Sequence, residues 1–190
     1  PDDADNDQLR AGAFAVEFTG DVLAEVGNVN FNPFKYDVIA TGWRQPGSTF
    51  KIVTGSLALD NGLVSLDETI DTGDGSIRVA NTTITEADHH RYGALTLGGI
   101  FEHSSNIGII RVGLRLGPSR LFTGATSFGV GQSTEVDLPG ENPGIVRPLS
   151  RWSALSNAEI SMGQEVSLNA LQLARITAAV DGLQQLLQVE

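Results

Sequence analysis

Cysteine is absent from this chain of 190 residues, and lysine occurs only as Lys35 and Lys51. Without thiols the chain has no disulfide framework, thiol chemistry or thiolate metal site. The 12 basic residues face 23 acidic ones, so the formal net charge is -11. An acidic surface repels nucleic-acid phosphate and anionic lipid, which argues against a nucleic-acid partner.

Long apolar runs are also missing. No stretch approaches the roughly 18 apolar residues that span a bilayer, and no segment resembles a signal peptide. The chain opens with Pro1 and an acidic run that ends at Asp7. We interpret residues 1–10 as a flexible acidic terminus, and we expect any membrane anchor or targeting segment to lie outside this chain.

The composition that remains is that of a folded domain. Hydrophobic residues make up 41% of the chain, and its length suits one domain with a sizeable core. Apolar runs at 11–18 and 22–26 flank a Thr-Gly-Asp turn and predict an antiparallel hairpin. Helices, whole or in pieces, are predicted over 46–60, 92–116, 119–128 and 170–180, with short strands and loops at 63–91 and irregular chain at 129–150.

Three details of these helices can be checked against a structure. Phe101 and Leu114 are among the predicted core residues of 92–116. The helix at 170–180 has Asn169 or Ser167 as its expected N-terminal cap.

The sharpest local feature is Ser48-Thr49-Phe50-Lys51. On a helix, residues three apart share a face, so the hydroxyl of Ser48 and the amine of Lys51 meet in the first turn. The positive end of the helix dipole favours a developing alkoxide, and a desolvated lysine can take up the serine proton. We expect a separation of roughly 2.6 to 3.2 Å between the two groups. Taken alone, the pattern also fits a capping serine and a solvated lysine.

The wider context favours chemistry. The segment from Arg44 to Lys51 resembles the nucleophile motif of penicillin-binding proteins, and Ser104-Ser105-Asn106 resembles their second motif. Residues 128–141 look like the segment that follows that motif. Residues 161–167, with Leu-Gln-Leu-Ala at 171–174, look like the Gly-Gln segment and its following helix. The matches run in the family's order over about 11–182 and are most similar to the class B, monofunctional transpeptidases.

This resemblance implies an α/β (α+β) serine penicillin-recognising fold, with an antiparallel sheet flanked by helices. Ser48 would be the nucleophile, Lys51 its base and Ser104 a proton relay. Asn106 would orient the amide carbonyl of the substrate. Gly163 and Gln164 of the Gly-Gln segment, and Trp43 beside the nucleophile motif, are further substrate-binding candidates.

The implied activity is peptidoglycan D,D-transpeptidation. Ser48 attacks a stem peptide ending in D-Ala-D-Ala, D-Ala leaves, and the amine of a neighbouring stem peptide resolves the acyl-enzyme; β-lactams trap the same serine. The family acts outside the cytoplasmic membrane, in cell-wall synthesis and cell division, together with other proteins of wall synthesis. The resemblance implies no metal and no organic cofactor.

One family element is missing from the chain. The third motif, Lys-Thr-Gly or Lys-Ser-Gly, is absent, so we expect residues 1–190 to form a partial, C-terminally truncated transpeptidase domain. The strand could come from a second chain. Two alternatives therefore stay open: a non-catalytic binding or structural module on this fold, and a serine hydrolase such as a D,D-carboxypeptidase or a β-lactamase-like enzyme.

Other polar clusters are weaker candidates. His89, His90 and His103 lack the spacing of a metal site, and we expect the first two on a surface loop. Asp71-Thr72-Gly73-Asp74-Gly75 resembles a calcium loop but lacks its full ligand spacing and closing glutamate, so a solvated turn is the better interpretation.

Overall fold

The computed structural model describes residues 13–16, 22–26, 42–137 and 140–187, and it describes side chains within 42–137 and 140–180. The helices are α1 (Lys51–Asp60), α2 (Leu97–Glu102), α3 (Asn106–Leu116), α4 (Pro118–Ser127), α5 (Ser156–Ser161) and α6 (Ala170–Leu187). The strands are β1 (Ala13–Val16), β2 (Val22–Val26), β3 (Thr69–Gly73), β4 (Ser76–Val79), β5 (Thr82–Thr85), β6 (Gly93–Thr96), β7 (Ile145–Val146) and β8 (Val166–Ser167). Within these ranges the strands pair two by two and antiparallel: β1 with β2, β3 with β6, β4 with β5, and β7 with β8.

Helix α3 lies at the centre of the helical layer, between α1 and α5. Most of its residues are buried, because apolar side chains or glycine occupy nearly every position. Gly113 allows the close approach to α5: a Cβ atom there would lie 1.8 Å from Ser161 Oγ. The contact is sealed by Asn157 Nδ2, which donates to the Gly113 carbonyl at 2.9 Å.

Two apolar clusters hold α1 in place. Val53 belongs to one cluster, with residues from α4, α5 and α6, and Ala58 belongs to the other, with residues from β3, α2 and α3. Phe50, directly before α1, is completely buried in the first cluster. The helix that follows the Ser48 turn is therefore fixed on both sides by burial of apolar side chains.

Most of the predicted elements are present. The hairpin at 11–26 is confirmed by the pairing of β1 with β2, and α1, α4 and α6 lie where helices were predicted. The helical prediction is wrong at 93–96, which form β6, because these residues pair with β3. Helix α5 was not predicted, and α6 extends to Leu187 rather than ending near residue 180.

Two predicted core residues are wrong. Phe101 is 40% exposed and Leu114 is 44% exposed. Phe101 covers Gly55 of α1 from the outside: a Cβ on that glycine would lie 2.5 Å from the phenyl ring. Leu114 lines a surface cavity beside α3. Among the described helices, none has the length and apolar character needed to cross a bilayer.

Candidate active site

Ser48 lies in a 3-10 turn, Gly47–Phe50, that runs directly into α1. Gly47 has φ +54, a left-handed conformation that glycine adopts without strain. The side chain of Thr49 donates to the Pro46 carbonyl at 2.7 Å, which closes the turn. Because Phe50 is anchored in the core while Ser48 is exposed, the turn presents the serine at the surface.

Gly163 packs against this turn from the other half of the chain. The Gly47 amide donates to the Gly163 carbonyl at 3.1 Å. A Cβ on Gly163 would lie 2.0 Å from the Gly47 carbonyl oxygen, and Gly163 itself has φ +83. Only glycine fits both the conformation and the space, so the Gly-Gln segment supports the Ser48 turn directly.

Lys51 is buried, with 1% of its surface exposed. Its Nζ donates to three oxygens: the Ser104 carbonyl at 2.5 Å, Ser104 Oγ at 3.1 Å and Asn106 Oδ1 at 2.8 Å. An ammonium group has three donors and no acceptor, so this set satisfies it completely. The structure thus brings Lys51, Ser104 and Asn106 together.

The predicted hydrogen bond between the side chains of Ser48 and Lys51 is not formed. Among the described residues, no hydrogen bond joins Ser48 Oγ to Lys51 Nζ; the two residues are linked through the backbone, where the Lys51 amide donates to the Ser48 carbonyl. The reason is that the three donors of a protonated Lys51 amine are already used by oxygens of Ser104 and Asn106, so none remains for Ser48 Oγ. The expected separation of hydrogen-bond length is not found in this state.

Burial makes the amine of Lys51 a weaker base than that of a free lysine. Loss of solvent lowers the pKa of Lys51 from 10.5 to about 8, and the negative charge of Glu86 acts in the opposite direction. A substantial fraction of the amine is therefore neutral near pH 8. A neutral amine keeps two donors and gains a lone pair, which suits proton uptake from a hydroxyl.

Ser104 lies in the break between α2 and α3, and Asn106 is the first residue of α3. Ser104 has φ +51, unusual for a residue with a side chain, and this conformation directs both its carbonyl and its hydroxyl at one amine. The oxygen of Asn106 must face Lys51 because an ammonium only donates. Its Nδ2 donor has no protein acceptor within the described part of the chain, so it is available to a ligand carbonyl.

Sequence reasoning missed Glu86, which lies between β5 and α2 and is 3% exposed. It accepts hydrogen bonds from Ser105 Oγ and from the Asn106 and Ile107 amides. Two of these donors are backbone amides, which every non-proline residue has. The contact therefore cannot be predicted from the spacing of residues in a motif. The signal in the sequence is one acidic residue among many.

Two further predicted residues, Trp43 and Gln164, are neighbours in sequence of the segments described above. Trp43 is 41% exposed and precedes Arg44, which pairs through its backbone with Leu168. Gln164 follows Gly163 and is partly buried. Their roles in substrate binding stay predictions. His89 and His90 are exposed, as expected.

A family model supports the same interpretation of the geometry. The model of the penicillin binding protein transpeptidase domain matches residues 13–182. The chain belongs to this transpeptidase family. Its mixture of helices and antiparallel strands is the α/β penicillin-recognising fold that the motifs predicted.

Individual relatives of the transpeptidase family agree. PbpB, a penicillin-binding protein of Mycolicibacterium smegmatis, is 36% identical over 178 residues, covering 87% of this chain and 27% of that protein. The peptidoglycan D,D-transpeptidase FtsI of Escherichia coli is 32% identical over 171 residues, covering 85% and 28%. The structure of penicillin binding protein 3 from Mycobacterium tuberculosis with aztreonam has a TM-score of 0.81 and 32% identity, covering 89% of this chain and 40% of that one. The chain spans about a quarter of the length of the two curated relatives.

Proposed function

We propose that the protein is a peptidoglycan D,D-transpeptidase that works through an acyl-enzyme on Ser48 and binds penicillin covalently at the same residue. The observation that carries the proposal is the buried amine of Lys51, held by Ser104 and Asn106 behind an exposed serine in a chain of the transpeptidase family. The name of the E. coli relative supports the reaction class.

Acylation begins with attack of Ser48 Oγ on the carbonyl carbon before the terminal D-Ala. The serine proton passes to the neutral amine of Lys51, whose burial favours that form. When the amide bond breaks, the leaving D-Ala nitrogen takes a proton from Lys51 by way of Ser104 Oγ, which lies 3.1 Å from Nζ. The free Nδ2 of Asn106 holds the amide carbonyl of the stem peptide.

The second half-reaction uses the same groups in reverse. The amine of a neighbouring stem peptide attacks the acyl-ester and loses a proton through Ser104 to Lys51. Lys51 then gives a proton to Ser48 Oγ as the ester bond breaks. Gly163 keeps the Ser48 turn in position through both steps. Because the substrate is the cell-wall polymer, we place this reaction outside the cytoplasmic membrane, with other wall-synthesis proteins as partners.

The proposal is tested by labelling the protein, as its gene encodes it, with fluorescent penicillin. We expect a stable label that peptide mass spectrometry locates on Ser48. Ser48→Ala should lose the label, while Thr49→Ser, which keeps the hydroxyl that closes the same turn, should keep it. A folded protein that takes no label under these conditions would show that this is a non-catalytic module.

Turnover separates the transferase from a hydrolase on the same fold. A peptide ending in D-Ala-D-Ala is offered together with an acceptor amine such as glycine or a D-amino acid. We expect the transfer product to exceed the hydrolysis product. Predominant hydrolysis, or rapid loss of the penicillin label, would instead identify a D,D-carboxypeptidase or a β-lactamase-like enzyme.

A further inference from the structure

Glu86 is a buried carboxylate that belongs to none of the motifs. It follows β5 and is 3% exposed. Its Oε1 accepts from Ser105 Oγ at 2.5 Å and from the Ile107 amide at 3.3 Å, and its Oε2 accepts from the Asn106 amide at 2.6 Å. Each carboxylate oxygen therefore has a donor, as a buried charge requires.

These donors are the start of α3. The first amides of a helix lack partners within the helix and carry the positive end of its dipole. Glu86 receives two of them, and Ser105, which donates to Glu86, accepts a third from Gly108 at 2.9 Å. The carboxylate and the serine cap the helix together.

The segment fixed in this way is the one that faces Lys51. Ser104 and Asn106 flank Ser105, and all three acceptors of the Lys51 amine belong to these two residues. Ser104 also holds a left-handed conformation, which persists only where its neighbours are held.

We propose that Glu86 is a positioning residue of the Ser48 site: its carboxylate holds residues 104–106 in the conformation that presents three oxygens to Lys51, and it places a buried negative charge beside that segment. The effect on reaction rate rests on the function proposed above, whereas the effect on the amine does not.

The electrostatic part has one source among the described residues. Desolvation lowers the pKa of Lys51, and Glu86 is the charged group that acts against it. Of the elements packed around Lys51, α3 carries Arg111 and Arg115, which line a cavity with Ile70 and Asp71 instead. His103, next to Ser104, is exposed and stacks on Tyr92.

Removal of the charge therefore has a defined direction. In Glu86→Gln, desolvation acts without its opponent, and the pKa of Lys51 falls below its value in the unaltered chain. A residue that only filled space would leave that pKa where it is. The titration of one amine thus separates a positioning role from a structural role.

The experiment titrates the protein, as its gene encodes it, labelled with 13C at lysine Cε. The signal that is missing from Lys51→Met is assigned to Lys51. We expect the Lys51 midpoint to be lower in Glu86→Gln and unchanged in Asp88→Asn, which removes an exposed acid two residues away. An equal midpoint in Glu86→Gln and the unaltered chain would overturn the proposal.

A second, conservative variant tests the proposal if Glu86→Gln does not fold. Glu86→Asp keeps the charge but shortens the side chain by one methylene, and its fold is checked by circular dichroism. We expect a Lys51 midpoint at or near that of the unaltered chain. If the Lys51 midpoint in Glu86→Asp falls well below that of the unaltered chain, the charge of residue 86 does not act on the amine, and the electrostatic role is contradicted.

Acylation by penicillin gives the second readout. The plateau rate should fall about 10- to 100-fold in Glu86→Gln, the size expected when reacting groups move by about 1 Å. The midpoint of its pH profile should shift down with the Lys51 midpoint. A lower plateau with an unshifted profile would show a structural role alone. Failure of the unaltered protein to take up penicillin would contradict the proposed function and leave the titration result intact.

Discussion

Two helices of this molecule begin inside buried polar networks, and the networks differ in one respect. At α6, Asn169 Oδ1 accepts from the Gln172 amide and Gln172 Oε1 accepts from the Asn169 amide, which is the reciprocal arrangement of a capping box. At α3, Ser105 and Glu86 cap the helix, and the neighbouring residues bind the buried amine of Lys51.

The network at α6 is closed. Gln172 Nε2 lies within 3.2 Å of the carbonyl oxygens of Gly129, Gln132 and Pro143. Asn169 Nδ2 donates to Glu141 Oε1 and to the Asn142 carbonyl. Every side-chain amide group of the Asn-Gln pair has a protein partner, so this network joins residues 129–137 and 140–143 to the helix.

The network at α3 is open. It contains a group whose proton is weakly held, Lys51, and a donor, Asn106 Nδ2, without a protein acceptor in the described ranges. Both networks are buried and hydrogen-bonded, so these two properties alone do not identify a reactive site. The network that we propose to be reactive differs in combining a buried amine of lowered pKa with a side-chain donor that has no protein acceptor in the described ranges.

The largest difference between the two networks should appear on replacement of Lys51. Lys51→Met keeps the approximate volume of the side chain and removes the amine. We expect the rate of acylation by penicillin to fall about 100- to 10,000-fold, the usual contribution of a general base. Stopped-flow or gel-based labelling over time measures the rate. The matched control is Lys35→Arg, which should label as fast as the unaltered protein; an equal loss there would remove the special role of Lys51.

The next effect is in the closed network. Gln172→Ala leaves several buried carbonyl groups without donors and opens the capping box. We expect the free energy of unfolding to fall by about 2 to 4 kcal/mol, because each unsatisfied buried group costs about 1 to 3 kcal/mol. Urea denaturation checks this. Arg175→Ala, which shortens an exposed side chain on the same helix, should change stability by less than about 0.5 kcal/mol.

The pH profile of Gln172→Ala tests whether the two networks act independently. Acylation should rise as the pH increases through about 8, where Lys51 loses its proton, and Gln172→Ala should leave that midpoint unchanged. A shift of the midpoint in Gln172→Ala would mean that the two networks are coupled. Such a result would break the division between a closed and an open network.

The smallest effects are on the pH dependence of stability. One is expected in the alkaline range, from Lys51, and the other in the acid range, from Glu141. The pKa of Lys51 is about 8 in the fold and 10.5 in the unfolded chain. The unfolded state therefore binds more protons between these values, and stability should rise with pH across this window. Lys51→Met should lack that rise in urea denaturation at pH 7.5 and 9.5.

Glu141, in the closed network, behaves in the opposite manner. Burial acts to raise the pKa of Glu141, but hydrogen bonds from Ser133, Thr134 and Asn169 outweigh it and hold the pKa below 4.5. Its contribution to stability is present above pH 4.5 and is lost as the pH falls through the lowered value. Glu141→Gln should flatten the acid limb of the stability curve. An unchanged acid limb would show that the hydrogen bonds around Glu141 do not favour its charged form.

Short-range patterns in the sequence predicted both networks in part. The spacing of Ser48 and Lys51, the Ser104–Asn106 motif and the cap at Asn169 are all local, and the structure places Lys51 with Ser104 and Asn106 and puts Asn169 at the start of α6. The reciprocal partner Gln172 was not predicted, although it lies three residues from the cap, where a capping-box glutamine belongs.

Other features depended on distant parts of the chain. Helix α5 is a short, polar segment, Ser156–Ser161, with no apolar period; it is buried because Gly113 lets it approach α3. Glu86 acts on backbone amides, which carry no sequence signal. The Ser48 hydroxyl was expected on Lys51, but the protonated amine has better acceptors in Ser104 and Asn106.

The contact between Gly47 and Gly163 ties the support of the Ser48 turn to the order in which the chain is synthesised. The turn that presents the serine is supported by a segment synthesised long after it, so a nascent polypeptide still lacking that segment has no backbone partner for the Gly47 amide. For the Ser48 acylation proposed above, uptake of a penicillin label would therefore report that the segment around Gly163 has docked on the turn.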